Sequence, residues 1–98
     1  MAQTYSDDQI AARLTGPLAA WTFKEGQLRR LYKTVKWPET LLLANAVAYI
    51  AERADHHPDL LASYASLEVR LSTHSAGGIT DKDFALAERI EALAASSS

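Results

Sequence analysis

Cysteine is absent from the 98 residues, and its absence removes disulfides, thiolate nucleophiles and cysteine-ligated zinc together, while being compatible with any compartment. Basic residues give no excess: 10 Lys and Arg stand against 12 Asp and Glu, a formal charge of -2. No basic face recommends a nucleic-acid partner. No apolar run approaches the ~18 residues of a membrane span, and Met-Ala-Gln-Thr-Tyr-Ser at the N-terminus has neither the basic start nor the apolar stretch of a secretion signal. The expectation is a cytoplasmic chain that does not engage a membrane. What is present, 48% hydrophobic and 22% charged residues, is an ordinary globular composition. The length predicts one small domain over residues 1–98, exposing enough surface for its volume that self-association is a natural source of extra burial. Chemistry, if there is any, must use histidine, carboxylates or hydroxyls.

Glycine and proline are few, 4 and 3, so each punctuates the chain. Ser6-Asp7-Asp8-Gln9 offers a hydroxyl cap with an amide three residues on, and Ile10, Ala11 and Leu14 follow at helical spacing before Gly16-Pro17, which predicts a helix over about 7–15. Leu18 to Phe23, with Trp21 and Phe23 on one side, reads as a strand, and Lys24-Glu25-Gly26 as the turn into a second strand over Gln27 to Val35. Leu28 and Leu31 have opposite parity, which predicts a bulge or kink near Arg29 and Arg30. Pro38 suits a first helical position, and Leu43, Ala46, Val47, Ile50, Ala51 and Ala54 recur at three- and four-residue steps behind it. Pro58 disfavours helix at His57, so this long helix is expected to end with the pair His56-His57, with Glu52 one turn below His56. Leu60 to Tyr64 reads as a third strand. Strict alternation from Leu67 predicts a fourth, ending at His74. Thr80-Asp81-Lys82-Asp83 is a capping-box type start, with Phe84, Ala87, Ile90, Leu93 and Ala94 on one face of the helix behind it. Ser96 to Ser98 are expected to fray. The order α-β-β-α-β-β-α predicts an α+β fold, a four-stranded antiparallel sheet with helices packed on one face.

All three histidines, His56, His57 and His74, fall between Glu52 and Asp83, each beside a residue that ends or redirects an element. Singly, each residue has a plain structural account. A histidine at a helix C-terminus suits the negative end of the helix dipole, and Asp83 is a helix-start carboxylate. His74 could be a surface residue, Glu52 a solvated helix charge and Tyr64 core packing. Together they suit proton transfer, because imidazoles titrate near ~6.5 and can supply both donor and acceptor at neutral pH, with a carboxylate such as Glu52 fixing tautomer and charge. Zinc is the competing use of three histidines and an aspartate. It is discounted because His57 would have to point the same way as its neighbour, and no His-x-x-x-His or Glu-x-x-His pair is present. Ser72 and Ser75 lie near His74 without anything resembling a nucleophile elbow.

Glu52, three residues, His56-His57-Pro58, five residues, Tyr64, nine residues, His74, eight residues, Asp83 resembles the signature of the pterin-4a-carbinolamine dehydratases. Trp21 and the passage Thr-His-Ser-Ala-Gly-Gly-Ile-Thr-x-x-Asp extend the resemblance to nearly the whole chain. The resemblance implies loss of water from a 4a-hydroxytetrahydropterin to give the quinonoid dihydropterin, which recycles the cofactor of aromatic amino-acid hydroxylases. It implies no metal and no cofactor, the pterin being substrate. Carried over by motif position, His56 and His74 are the implied acid-base pair and His57 mainly binds and orients. Glu52 and Asp55 are expected beside the first His pair, while Pro58 and Ser72, Thr73, Ser75 and Ala76 shape the pocket, and Asp83 holds the loop or a histidine. Homodimers or homotetramers are implied too, with sheets pairing edge to edge and helices packing when dimers pair. Two other classes stay open: a non-catalytic dimerisation or assembly partner on the same fold, and a metal-dependent hydrolase using the same imidazoles.

Overall fold

The computed structural model describes residues 3–96. Helix α1 (Asp7–Arg13) leads through a 3₁₀ turn (Gly16–Leu18) to strands β1 (Thr22–Lys24) and β2 (Gln27–Lys33). Helix α2 (Trp37–Arg53), strands β3 (Asp59–Ser63) and β4 (Ser66–Leu71), a second 3₁₀ turn (His74–Ala76) and helix α3 (Asp81–Ser96) complete the chain. The strands form one antiparallel sheet in the order β1-β2-β4-β3, so β4, the most regularly alternating segment, is central. The helices pack on one face, which is the α+β arrangement predicted from the order of elements.

Register explains the core. Leu28 pairs with Leu71 and Tyr32 with Leu67, and from the other side Leu60 pairs with Val69. Leu28, Leu67, Val69 and Leu71 are fully buried against Val47 and Ala51 of α2 and Phe84, Ala87 and Ile90 of α3. Along β2 and β4 the opposite face carries Arg29, Leu31, Glu68 and Arg70, because successive side chains on a strand alternate sides. The expected bulge at Arg29 and Arg30 is therefore corrected: β2 pairs without interruption from Leu28 to Lys33, and the parity conflict is resolved by leaving Leu31 45% exposed on the outer face.

Other boundaries also differ. The first expected strand shortens, because Gly16 adopts a positive φ and starts the 3₁₀ turn, which directs Leu18 inward, and Trp21 is buried just ahead of β1. The Trp21 indole donates to Glu91 Oε1 at 3.0 Å, where Arg30 Nε (2.7 Å) and the Tyr32 hydroxyl (2.7 Å) also donate. One carboxylate thus fastens α3 to β2 and to the segment before β1. Tyr64 is not core packing: it lies 66% exposed at the β3-β4 turn, where its backbone carbonyl accepts from the buried Thr40 hydroxyl. Ser96 is the last residue of α3 rather than frayed chain, and the same expectation for Ser97 and Ser98 lies outside the described residues.

Candidate active site

The site begins where α2 stops. Arg53 is the last helical residue, Ala54 the C-cap, and Asp55 takes a left-handed φ of 52°. Asp55 N–H donates to the Glu52 carbonyl (3.0 Å) and His56 N–H to the Ala51 carbonyl (3.1 Å). These two reversed bonds with a left-handed residue between them make a Schellman ending. The expected helix extending to the His pair is corrected accordingly, and with it the expected stacking of Glu52 below His56. The reversal swings His56 back toward α3 and leaves His57 outside, so Glu52 Oε1 meets His57 Nε2 at 2.8 Å instead. That pair is exposed on both sides.

His56 meets Asp83. Its Nε2 lies 2.6 Å from Asp83 Oδ1, with the Asp83 side chain fully buried and the imidazole 11% exposed. Asp83 occupies the third position of α3, and its Oδ2 accepts from the Thr80 N–H (2.9 Å) and from the Thr73 hydroxyl (2.8 Å). The Thr73 hydroxyl has one proton and spends it on the carboxylate, so the contact between Thr73 and Thr80 Oγ1 (2.8 Å) has Thr80 as donor. Lys82 N–H in turn approaches Thr80 Oγ1 at 3.3 Å. The helix cap, the Thr73 strand end and the imidazole are thus all satisfied at one buried acid, where an unpaired charge would be costly.

Thr73 also carries His74. β4 ends at Leu71 rather than His74, as the ladder gives way to an isolated bridge between Thr73 and Gly78. Between the two bridge residues the chain makes the 3₁₀ turn His74–Ala76, closed by Gly77 at φ 75°, a conformation that suits glycine. His74 and Ser75 are exposed on this turn and Ala76 is half-buried. Ser72, Thr73 and His74 line a cavity of about 510 Å³ together with Phe23, Glu25 and Gln27 of the β1-β2 hairpin, whereas His56 and Asp83 do not line it. Pro58 is half-buried and Asp55 is exposed; the left-handed C-cap geometry accounts for Asp55 without a ligand. Among the described residues, no group of three or more His, Asp or Glu is placed to hold a metal ion.

The structure therefore links His56, Asp83, Thr73 and His74 in one connected unit and puts the His57–Glu52 pair beside it on the outside. The hairpin wall was not expected from the sequence. Its one legible signal was Glu25 ahead of Gly26, a bulky residue at a turn position that favours Asn, Asp or Gly.

The fold and site define a class: a small α+β protein with an Asp-backed histidine and a second histidine that lines a neighbouring cavity. The sequence model described as pterin 4 alpha carbinolamine dehydratase matches residues 3–93, and the chain belongs to that family. A protein of Aquifex aeolicus is 37% identical over 95% of this chain and 93% of its own length. One of Nocardia farcinica is 42% identical over 91% of this chain and 93% of its own. Both carry pterin-4-alpha-carbinolamine dehydratase as a provisional name. Among solved structures, a transcriptional coactivator/pterin dehydratase from Brucella melitensis superposes with a TM-score of 0.85 at 26% identity, covering 94% of this chain and 99% of its own. A pterin dehydratase-like RuBisCO assembly factor of the alpha-carboxysome shares the fold, with a TM-score of 0.61 at 20% identity over 76% of this chain and 86% of its own.

Proposed function

We propose that the protein is a hydro-lyase that dehydrates a 4a-hydroxytetrahydropterin to the quinonoid dihydropterin. The observation that carries this reading is the chain from His56 through Asp83 and Thr73 to the His74 turn, in a member of the dehydratase family. In the reaction the C4a–O bond breaks with its electron pair going to oxygen, which takes a proton and leaves as water. A ring nitrogen gives up its proton, and the pair released closes the new C=N bond. Two groups of opposite protonation state are needed, and histidines suit both roles at neutral pH. His56 is read as the base: Asp83 at one ring nitrogen fixes its tautomer and orientation, leaving the other nitrogen to take a proton, as a buried aspartate does for a catalytic histidine elsewhere. His74, exposed and lining the cavity, is read as the acid that protonates the departing oxygen. His57 with Glu52 binds and orients, Ser72 lines the 510 Å³ cavity, and Pro58, Ser75 and Ala76, outside its lining, are read as shaping the surroundings of the histidines. No cofactor or metal enters this reading.

The test is the rate of 4a-hydroxytetrahydropterin dehydration followed by absorbance. Wild type is expected to exceed the spontaneous reaction clearly, and His56→Ala or His74→Ala to lose on the order of 10²-fold or more in kcat. A folded wild type that gives no acceleration would sink the dehydratase reading.

A second reading has its own observation. Val35, Leu42 and Tyr49 are 75%, 69% and 65% exposed, and a cavity of about 410 Å³ lies under the first two, against Tyr32, Leu43 and Leu93. An apolar surface of this kind suits association, either of copies into the proposed homo-oligomer or with another protein. That reading predicts function surviving in a His56→Ala/His74→Ala double variant.

A further inference from the structure

We infer that Tyr5 is a positioning residue for His74, acting through an N-terminal strap that fastens the return limb of the His74 turn. The inference rests on the proposed role of His74 as the acid and goes beyond it by naming what holds that histidine's turn in place.

The turn has little packing of its own. None of its three residues, His74–Ala76, is buried, so it belongs with the segments that open easily unless something ties them down. Its limbs meet at the Thr73–Gly78 bridge, where Thr73 N–H donates to the Gly78 carbonyl at 2.9 Å and Gly77 N–H to the Thr73 carbonyl at 3.0 Å. The return limb, from Gly78 to Asp81, is covered by residues from the start of the chain. Tyr5 N–H donates to the Ile79 carbonyl at 2.8 Å. The Tyr5 hydroxyl donates its one proton to Asp81 Oδ1 and accepts from Arg13 Nη1 at 2.8 Å. The Tyr5 ring meets Phe84 edge-on, 4.9 Å between centroids, and the Arg13 guanidinium lies 4.4 Å over the same Phe84 ring. Tyr5 thus grips the limb and the helix behind it at Ile79, Asp81 and Phe84. Of the seven residues of α1 only Ile10 is buried, which leaves Tyr5 to tie the segment ahead of it to the limb.

Gly78 is an independent sign of the same device. Gly77 needs its left-handed φ, but the φ of Gly78 is not positive, so backbone strain does not call for glycine there. The strap does: a Cβ on Gly78 would stand 3.1 Å from Thr4 Cγ2 and 3.4 Å from Thr4 Cβ. Without it, Thr4 and Tyr5 lie directly on the limb, and both line the same cavity as His74.

The test compares amide hydrogen exchange, read by NMR, and turnover in wild type, Tyr5→Phe, Gly78→Ala and the double variant Gly78→Ala/Thr4→Ala. Phenylalanine keeps the ring on Phe84 and removes only the hydroxyl bonds. Exchange at Thr73 and Gly77 should quicken about fivefold or more in Tyr5→Phe and in Gly78→Ala, with the amides of the β2-β4 ladder within about twofold of wild type. Thr4→Ala removes the obstructing methyl, so the double variant should return to wild-type exchange. In turnover, kcat of Tyr5→Phe should fall about fivefold with KM within about twofold. A merely structural tyrosine would instead loosen turn and sheet alike and leave kcat of the folded protein unchanged. Unaltered turn exchange in Tyr5→Phe, equal quickening in turn and sheet, or a double variant no better protected than Gly78→Ala overturns the inference. So does an unchanged Tyr5→Phe kcat beside an active wild type. An inactive wild type sinks the dehydratase reading alone, and the exchange measurement then decides by itself whether Tyr5 holds the turn.

Discussion

At the scale of single residues, Asp83 has the most consequences. A helix-start carboxylate needs only to accept a backbone N–H, but this one also accepts from Thr73 and holds His56. Asp83→Asn should therefore act twice. It should lower unfolding free energy by ~1–3 kcal/mol, since an amide presents an N–H where the buried partners supply protons, measured by urea denaturation. It should also lower kcat more than KM, because the imidazole loses the acceptor that fixes its tautomer and orientation. A kcat equal to wild type would detach His56 from the chemistry. The Asp83 role was partly legible: the capping-box pattern from Thr80 predicted a carboxylate at the helix start. That its second oxygen reaches an imidazole 27 positions earlier could not be read, since no local rule specifies which strand end or loop packs over a cap.

At the scale of elements, the ending of α2 decides what the His pair becomes. The sequence reading ended the helix with the His56-His57 pair. A Schellman ending stops it sooner, since the reversed bonds to the Ala51 and Glu52 carbonyls satisfy groups that a longer helix would have used. Asp55 takes the position that glycine usually fills, so Asp55→Gly should stabilise the protein by ~1 kcal/mol, seen as a higher melting temperature, with turnover unchanged. Lost turnover would return Asp55 to the substrate-binding set in which the family resemblance placed it. In β2 the elements were legible and the detail was not: parity alone could not choose between a bulge and an exposed leucine, and the uninterrupted ladder to β4 chose the latter. A full row of interstrand bonds outweighs the partial burial of Leu31.

At the scale of the whole molecule, α3 is bound to the rest through the Glu91 carboxylate, which takes donors from Trp21, Arg30 and Tyr32. The Tyr32 hydroxyl is held well above the ordinary tyrosine range, by burial first and then by the bond it donates to Glu91 and the charge there, with Arg30 opposing. The folded state therefore keeps a proton that the unfolded chain loses at about pH 10. This contribution to stability is complete below that pH and is lost as pH rises toward the folded-state value, at up to ~1.4 kcal/mol per pH unit. Urea denaturation of Tyr32→Phe should show a shallower fall above about pH 10 than wild type, and lower stability at neutral pH by ~1 kcal/mol for the missing bond. An identical alkaline slope would remove Tyr32 from the account. The sequence held a hint of this anchor, since Glu91 follows Phe84 and Ala87 at seven and four residues, on the apolar side of α3.

The sequence by itself determined the order of elements, the alternating face of β4, the apolar faces of α2 and α3 and the signature of the family, because periodicity and spacing are local or one-dimensional properties. The tertiary structure alone decided that His56 pairs with Asp83 and His57 with Glu52, that Leu31 faces outward, and that the β1-β2 hairpin lines the same cavity as His74. Each of these depends on which segments pack together and in what register, and that is set by the simultaneous burial of side chains from distant parts of the chain.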